Sequence, residues 1–478
     1  MKTSLMLSLF WLAILLSAPA CDSTRATSDP TLTPVVTGGQ DQNQNQDQVQ
    51  DQVQVQDLDE ELTSLVEAMQ SDYLAVRLEA IESFGALSLQ PNTARAKTVV
   101  QLLLDRRRVD FNDYEDGYIE TALRKLGPVV VAEVQRQAMS SEIPEVSNAC
   151  EGMRSVGGQF FAELQPTLTQ MLQSELNEHQ WGALFSLEKM GPAGQPLLPL
   201  VKPYLTDQDF QLQIIALRAL AAIGPPAVVF EDIVRDLTTN GQNVSVKSHA
   251  LRALGYISAG DPQQAQAAAE VIGQNLKEFA FATKSRALEG LIQLKSHAAP
   301  TADVIQELLH DQTGLAPQAA VVNGHITGDW NATVKLLISL LPDHVVGMEC
   351  LDLLRKLGPH AAPAESALQN LLKNEDEIVA LMAVEALAAI VNWNNREDLE
   401  KMDAEQRQRL DRVATQLQTM AAEGETEPHH RAGLLIQQWQ AWGWQPPAQT
   451  PDSSPAPASL PAPASLPAPA AVEPSSAR

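Results

Sequence analysis

The sequence predicts an all-α fold, an α-solenoid built of helical hairpins, and three observations lead there. One apolar pattern occurs twice between residues 211 and 260. Leu212, Ala216, Ala219, Leu220 and Ile223 recur 34 residues on as Val246, Ala250, Ala253, Leu254 and Ile257. Each set runs i, i+4, i+7, i+8, i+11, which is one stripe of a 3.6-residue helix. Between the sets stand Gly224, Pro225 and Pro226, a helix stop, and then a second apolar run over residues 228–237. Helix, sharp turn, helix, repeated at a fixed period, is the unit of a solenoid. The composition agrees. Hydrophobic residues make up 44% of the 478 but aromatics only 5%. That suits Ala, Leu, Val and Ile packed helix on helix, and argues against a β-sandwich.

The chain opens with a targeting segment. Lys2 precedes an apolar run over residues 5–16, the length of a signal-peptide core and too short to span a bilayer comfortably. Ala18 and Ala20 then supply small residues before Cys21. We read residues 1–20 as a signal peptide. The small residues and the cysteine resemble a bacterial lipobox, although Ala18 stands where such motifs usually carry Leu. That resemblance implies acylation of Cys21, and Asp22 resembles an inner-membrane retention signal. Simple secretion and an uncleaved anchor are the alternatives. Residues 21–57 form a tether rich in Gln, Asp, Asn and Thr, with the core QDQNQNQDQVQDQVQVQD. It has too few large apolar residues to offset its ordering entropy, so disorder is expected.

The repeat array is read over residues 58–444. Asp57 can cap a first helix carrying Leu58, Leu62, Leu65, Val66 and Met69, with Asp59, Glu60 and Glu61 in its favourable first turn. A small residue four places before a large one then recurs in the second helix of each pair. The instances are Ala80/Phe84, Ala149/Met153, Ala183/Leu187, Ala216/Leu220, Ala250/Leu254, Ala287/Leu291, Cys350/Leu354 and Ala383/Leu387. Ile119/Leu123 fits with a larger first member, a unit near Ala319 is degenerate, and Ala432/Ile436 is displaced. Gly127-Pro128, Gly191-Pro192, Gly224-Pro225 and Gly358-Pro359 stop helices four residues past the large member. About eleven helix pairs result.

At these residues the chain resembles the HEAT repeat family. Asp72-x-x-x-Val76-Arg77-x-x-Ala80 matches that family's turn and second helix, as does the run from Asn243 through Val246, Lys247, Ala250, Ala253 and Leu254 to Gly255. The resemblance covers the whole array and implies a right-handed α-α superhelix. The family's Arg/Lys position holds Lys284 but becomes Gln180, Gln213, Gly347 and Ala380 elsewhere. A continuous Asp–Arg ladder is therefore not expected, and Gln213 reads as a surface residue.

Two insertions break the period: residues 106–117, RRRVDFNDYEDG, and residues 392–406. Both are expected as projecting loops, the usual carriers of binding residues. The array closes with a helix carrying Leu410, Val413, Leu417 and Met420 and a last one carrying Leu434, Leu435, Trp439 and Trp442. Residues 445–478 form a Pro-, Ala- and Ser-rich tail, expected to be disordered and partly polyproline II.

Candidate chemistry is sparse. Cys150 and Cys350 lie about six repeats apart and read as small buried residues that cannot bridge. His429-His430 and the oxygen-rich stretch Asp110, Asn112, Tyr114, Asp116 are weak metal candidates. The latter lacks the Gly and Glu of a calcium loop. The sequence has no CxxC, GxSxG or P-loop motif, and no cofactor or metal site is expected. The net charge of −26 opposes nucleic acid and anionic lipid, and favours a protein partner with a basic surface. Arg106, Arg107, Arg108, Phe111, Tyr114 and Tyr118 form an Arg–aromatic cluster of the kind enriched at binding hot spots, and are the expected partner contact. The expected function is a non-enzymatic, membrane-tethered protein-binding scaffold, exported and either anchored outside the cytoplasmic membrane or periplasmic. The alternative is an enzyme or enzyme accessory of the HEAT-repeat lyase or hydroxylase type. No His-Glu dipeptide, the iron-binding motif of the hydroxylase branch, occurs.

Overall fold

Helix follows helix from Glu60 to Ala441. The computed structural model describes residues 60–71, 74–109, 113–277, 281–310, 314–393, 398–424 and 426–446. The signal segment, Cys21, the tether, Leu58 and the Pro-rich tail lie outside the described residues. Among the described residues all regular structure is helical, and the chain folds as a HEAT-like array. The second helices are α1 (Leu74–Ala86), α2 (Asp113–Leu126), α3 (Ile143–Val156), α4 (Asn177–Met190), α5 (Phe210–Ile223), α6 (Val244–Ser258), α7 (Phe281–Leu294), α8 (Ala316–Thr327), α9 (Gly347–Leu357), α10 (Glu377–Val391) and α11 (Glu427–Ala441). Each packs on the next in chain order, and a first helix or turn precedes each one.

The small–large column is the core. Ala216, Leu220, Ala250 and Leu254 are fully buried, as are Ala183, Leu187, Ala383 and Leu387. Cys150 and Cys350 are free thiols buried among apolar neighbours, where desolvation pushes both up to about 12. A buried, protonated thiol packs like a small hydrophobe and is unreactive. The Gly-Pro stops work through backbone conformation. Gly127, Gly191, Gly224 and Gly358 all have positive φ, which a side chain would resist. After three of them the next element starts as a tight 3-10 turn, at Gly191–Leu197, Pro225–Phe230 and Gly358–Ala364. Proline at the first positions removes donors that an α-helical start leaves unused.

At α8 the column fails and the core divides with it. The large position holds Asn323, which accepts from Gln306 Nε2 at 2.8 Å instead of filling the groove. Val322 belongs to the apolar cluster running back to Leu62, whereas Val321 belongs to the one running on to Trp444. Trp330 crosses this seam, stacked on His360 at 4.6 Å and edge-on to His325 at 4.8 Å.

Two expectations need correction. Residues 106–109 and 113–117 are helical and do not form a projecting loop. Arg106–Val109 belong to the helix Ala94–Val109, and α2 already begins at Asp113. Arginine is a good helix former, so RRRV extends the helix rather than leaving it. Gln213 is not on the surface either. It is 2% exposed, and its Nε2 donates to Leu205 O at 2.7 Å. Gln180 Nε2 donates likewise to Ser174 O at 2.6 Å, and Arg77 to Ser71 O at 2.9 Å. At Arg77, Gln180 and Gln213 this position thus does one job: the side chain satisfies a carbonyl of the segment before the second helix. A neutral amide does that as well as a guanidinium when the site is buried.

The second insertion supplies part of the C-terminal cap. Trp393 is 4% exposed and meets Trp439 at 6.1 Å and Trp442 at 5.5 Å between ring centroids. Trp444 donates its indole N–H to Asp411 at 3.1 Å. The array's ends also touch: α11 lies against α1, with Cα atoms within 8 Å.

Leu220→Ala and Leu254→Ala should each cost about 2–5 kcal/mol, the range for emptying a packed apolar site. Gln213→Ala should cost about 1–3 kcal/mol, because it orphans the Leu205 carbonyl. The exposed neighbour Gln211→Ala should cost under about 0.5 kcal/mol. Urea unfolding of the four variants checks the order. A neutral Gln213→Ala would return that residue to the surface.

Candidate protein-binding surface

Charged side chains cross-link successive second helices. Glu115 on α2, its side chain 3% exposed, accepts from Arg77 Nε at 2.7 Å and Arg106 Nε at 3.0 Å. Arg107 reaches Ser155 Oγ at 2.8 Å, Asp116 Oδ2 at 2.9 Å and Glu151 Oε2 at 3.3 Å, tying the helix Ala94–Val109 to α2 and α3. Arg154 lies over the Phe185 ring at 3.8 Å, and Phe185 stacks on Trp181 at 4.6 Å. Further along, Arg218 pairs with Glu188 and Arg252 with Glu289, each at 2.7 Å, and Arg431 pairs with Glu385.

The sequence-predicted cluster therefore divides. Arg106 and Arg107 are engaged inside the fold, and Tyr118 packs against the core. The side chains of Arg108, Phe111 and Tyr114 lie outside the described residues. Asp116, the one member of the oxygen-rich stretch with a described side chain, is committed to Arg107. His429 Nδ1 shares a hydrogen bond with Thr426 Oγ1 at 2.7 Å. Among the described residues no group of three metal-ligating side chains gathers.

A feature missed in the sequence lies at the starts of the second helices. Ile143, Leu176, Phe210, Val244, Phe281, Val345 and Ile378 are between 40% and 71% exposed. Each stands within two residues of the start of its helix. Because successive second helices pack side by side, these residues line one edge of the array, with a break at α8, where Leu315 is 1% exposed. Carboxylates flank its two ends, Glu142 and Glu145, Glu175 and Glu178, Asp207 and Asp209, then Glu375, Asp376 and Glu377, while Lys247, Lys277 and Lys284 stand near Val244 and Phe281 in its middle. Some cap the helices, as Asp209 does for Gln211 N and Asp376 for Ile378 N, where the helix dipole favours negative charge. The signal was present. Six or so residues before the small residue, off the buried stripe, an apolar residue recurs in repeat after repeat.

The Glu115 pairing lies where the array's ends meet. Glu427, at the start of α11, feels both Arg77 and Glu115 of the first repeats. Its Oε1 is shut from solvent with no hydrogen-bond donor among the described residues. Desolvation, with repulsion from Glu377 and Glu115, pushes its carboxyl up to about 7.

No family model matches this sequence, and no curated protein matches it. Solved structures do. An engineered protein is 18% identical over 80% of this chain and 99% of its own, with a TM-score of 0.34. Kap121p is 13% identical over 79% of this chain, with a TM-score of 0.32, and this chain spans only 45% of it. Kap95p, from a structure of its binding to RanGDP, is 10% identical over 79% of this chain and 56% of its own, with a TM-score of 0.37. The repeat assignment rests on this chain's own helix order and packing column.

Glu427 should make stability fall as pH rises. Unfolded, its carboxyl loses its proton near 4.5, and folded, near 7. Below about 4.5 both states are neutral there and the penalty is absent. Between 4.5 and 7 the unfolded state ionises first, and above 7 the fold bears the full cost. Glu427→Gln should therefore raise Tm at pH 8 and leave it nearly unchanged at pH 4.5. The gain should be no more than about 1 kcal/mol, since solvent screens a half-exposed group. Melting curves of both proteins across this range decide it; equal shifts at both pH values would remove Glu427 as the cause.

Proposed function

We propose that this protein is a non-enzymatic, membrane-tethered scaffold that binds a protein partner. The observation that carries this reading is the apolar row from Ile143 to Ile378. Exposed apolar residues scattered singly are ordinary, but a periodic line of them over successive repeats is what an interaction surface requires. Its acidic flanks select the partner. The complementary surface is a protein segment with apolar side chains interleaved with Lys or Arg, which an acidic array attracts and orients. The tether follows from the sequence. Acylation at Cys21 would hold the array at the outer side of the cytoplasmic membrane, with residues 22–57 setting its reach. The non-enzymatic part of the reading draws on a sequence without recognisable nucleophile, phosphate-loop or paired His-Glu motifs.

Two experiments test the two halves. Replacing Phe210, Val244 and Phe281 together by Ser should weaken capture of the partner from solubilised membranes at least tenfold, about 1.4 kcal/mol. Melting should change little, because these side chains are outside the core. A parallel variant at Arg108, Phe111 and Tyr114 tests the contact that the sequence suggested. Retained capture by the row variant would exclude the edge as the interface. Separately, Cys21→Ala should move the protein from the membrane to the soluble fraction, since stable anchoring needs the acyl chains. Unchanged fractionation of that variant would sink the lipoprotein reading.

A further inference from the structure

Arginines gather on α5, α6 and α7, near the middle of the array. Arg218 and Arg252 occupy the same place in consecutive repeats, two residues past the small member of the column. Arg286 stands one residue before that member on α7. All three guanidinium groups act on the ring of His249, and Arg218 and Arg252 act on Arg286. The cluster is drawn together by the backbone. A Cβ on Gly255 would come within 2.3 Å of Gly290 O, so α6 and α7 are in near backbone contact beside Arg252 and Arg286. Two side chains larger than hydrogen would push the helices, and the cluster, apart.

Three like charges held together need compensation, and the fold supplies only part of it. Glu188 pairs with Arg218 and Glu289 with Arg252. The remaining guanidinium, Arg286, makes no ion pair or hydrogen bond among the described residues, and receives only the longer-range fields of Glu289 and Glu188. His249 adds nothing to the charge. It is 8% exposed, and burial together with the three arginines drops its pKa to about 2, so it is neutral. Its Nδ1 is buried with no partner among the described residues. Three positive and two negative groups leave one positive charge over, beside a ring nitrogen that lacks a partner. A cation–π contact completes the surroundings: Arg252 lies over the Tyr256 ring at 4.7 Å.

We propose that Arg286, with Arg218, Arg252 and His249, forms a binding site for a single carboxylate group. One negative charge balances the cluster, whereas a phosphate dianion would overshoot it. A guanidinium fork matches the two oxygens of a carboxylate. The site is independent of the apolar row, which selects a basic partner. The source of the carboxylate is either a small free acid or the C-terminus of a peptide.

The test uses the full chain, titrated at pH 7 and constant ionic strength with acetate, inorganic phosphate, chloride and a tripeptide in free-acid and C-terminally amidated forms. Acetate or the free-acid tripeptide should raise Tm saturably, with chloride and the amidated peptide without effect. Tighter binding of the free-acid tripeptide than of acetate identifies a chain terminus as the source; the reverse identifies a small acid. Arg286→Gln should weaken the saturable response at least tenfold while raising Tm without ligand, because it relieves like-charge repulsion. Arg286→Lys keeps the charge without the fork and should fall between; it serves as the test should Arg286→Gln fail to fold. Phosphate binding tighter than acetate, an equal response to chloride, or an undiminished response in a folded Arg286 variant would each overturn the proposal.

Discussion

Most layers of this protein depend on one packing rule: a small residue beneath the neighbouring helix and a large one four places on. The small member lets two backbones approach, and the large member fills the groove one turn away. Because both lie on a helix of fixed pitch, the rule sets the separation and the angle of each layer on the last. Where it is obeyed, as at Ala216/Leu220 and Ala250/Leu254, burial is complete. Where Asn323 replaces the large member, the apolar core parts into two clusters. The polar features are arranged around this column. Ion pairs such as Arg252–Glu289 run from helix to helix beside it, and the exposed apolar row lies at its edge.

The column, the helix stops and the repeat class were legible in the sequence because each is local. A period of 3.6, a Gly-Pro pair and a small–large spacing need only a few neighbouring residues to be recognised. What escaped depends on geometry between layers. Gln213 is polar and substitutes for a charged family residue, which reads as exposure; only the position of the Leu205 carbonyl shows why an amide is buried there. RRRVDFNDYEDG looked like an insertion because the period lengthened, yet four of its residues extend the first helix and five open α2. Arg106 and Arg107 are hot-spot residue types, and the fold uses them on Glu115, Asp116 and Ser155. The exposed row was hidden for the opposite reason. Ile, Val, Leu and Phe are core residue types, and only their place at the helix start, off the buried stripe, turns them outward.

Charge is distributed with the same economy. The chain carries 59 acidic residues against 33 basic ones, so each arginine sits in a field of carboxylates. Four of those described, Arg77, Arg218, Arg252 and Arg431, are committed to cross-links between second helices. A helix start is where carboxylates are most welcome, so capping and the negative rim have a common origin. Against that background, a guanidinium with no ion pair or hydrogen bond among the described residues, beside a neutral histidine, is an exception to the electrostatics of the rest.

The contact between α1 and α11 changes how the array holds itself together. An open stack of repeats is a one-dimensional system: each unit has two neighbours except the terminal ones, which have one and fray first. Here the terminal units also lean on each other, so neither end is a loose end. Nearest-neighbour coupling acquires one link that joins residues more than three hundred positions apart in the chain. Such a link has the largest loop to close and so comes late in folding. It also adds a shared interface to two units that would otherwise open separately. Opening of the first repeat and opening of the last are then coupled through this contact.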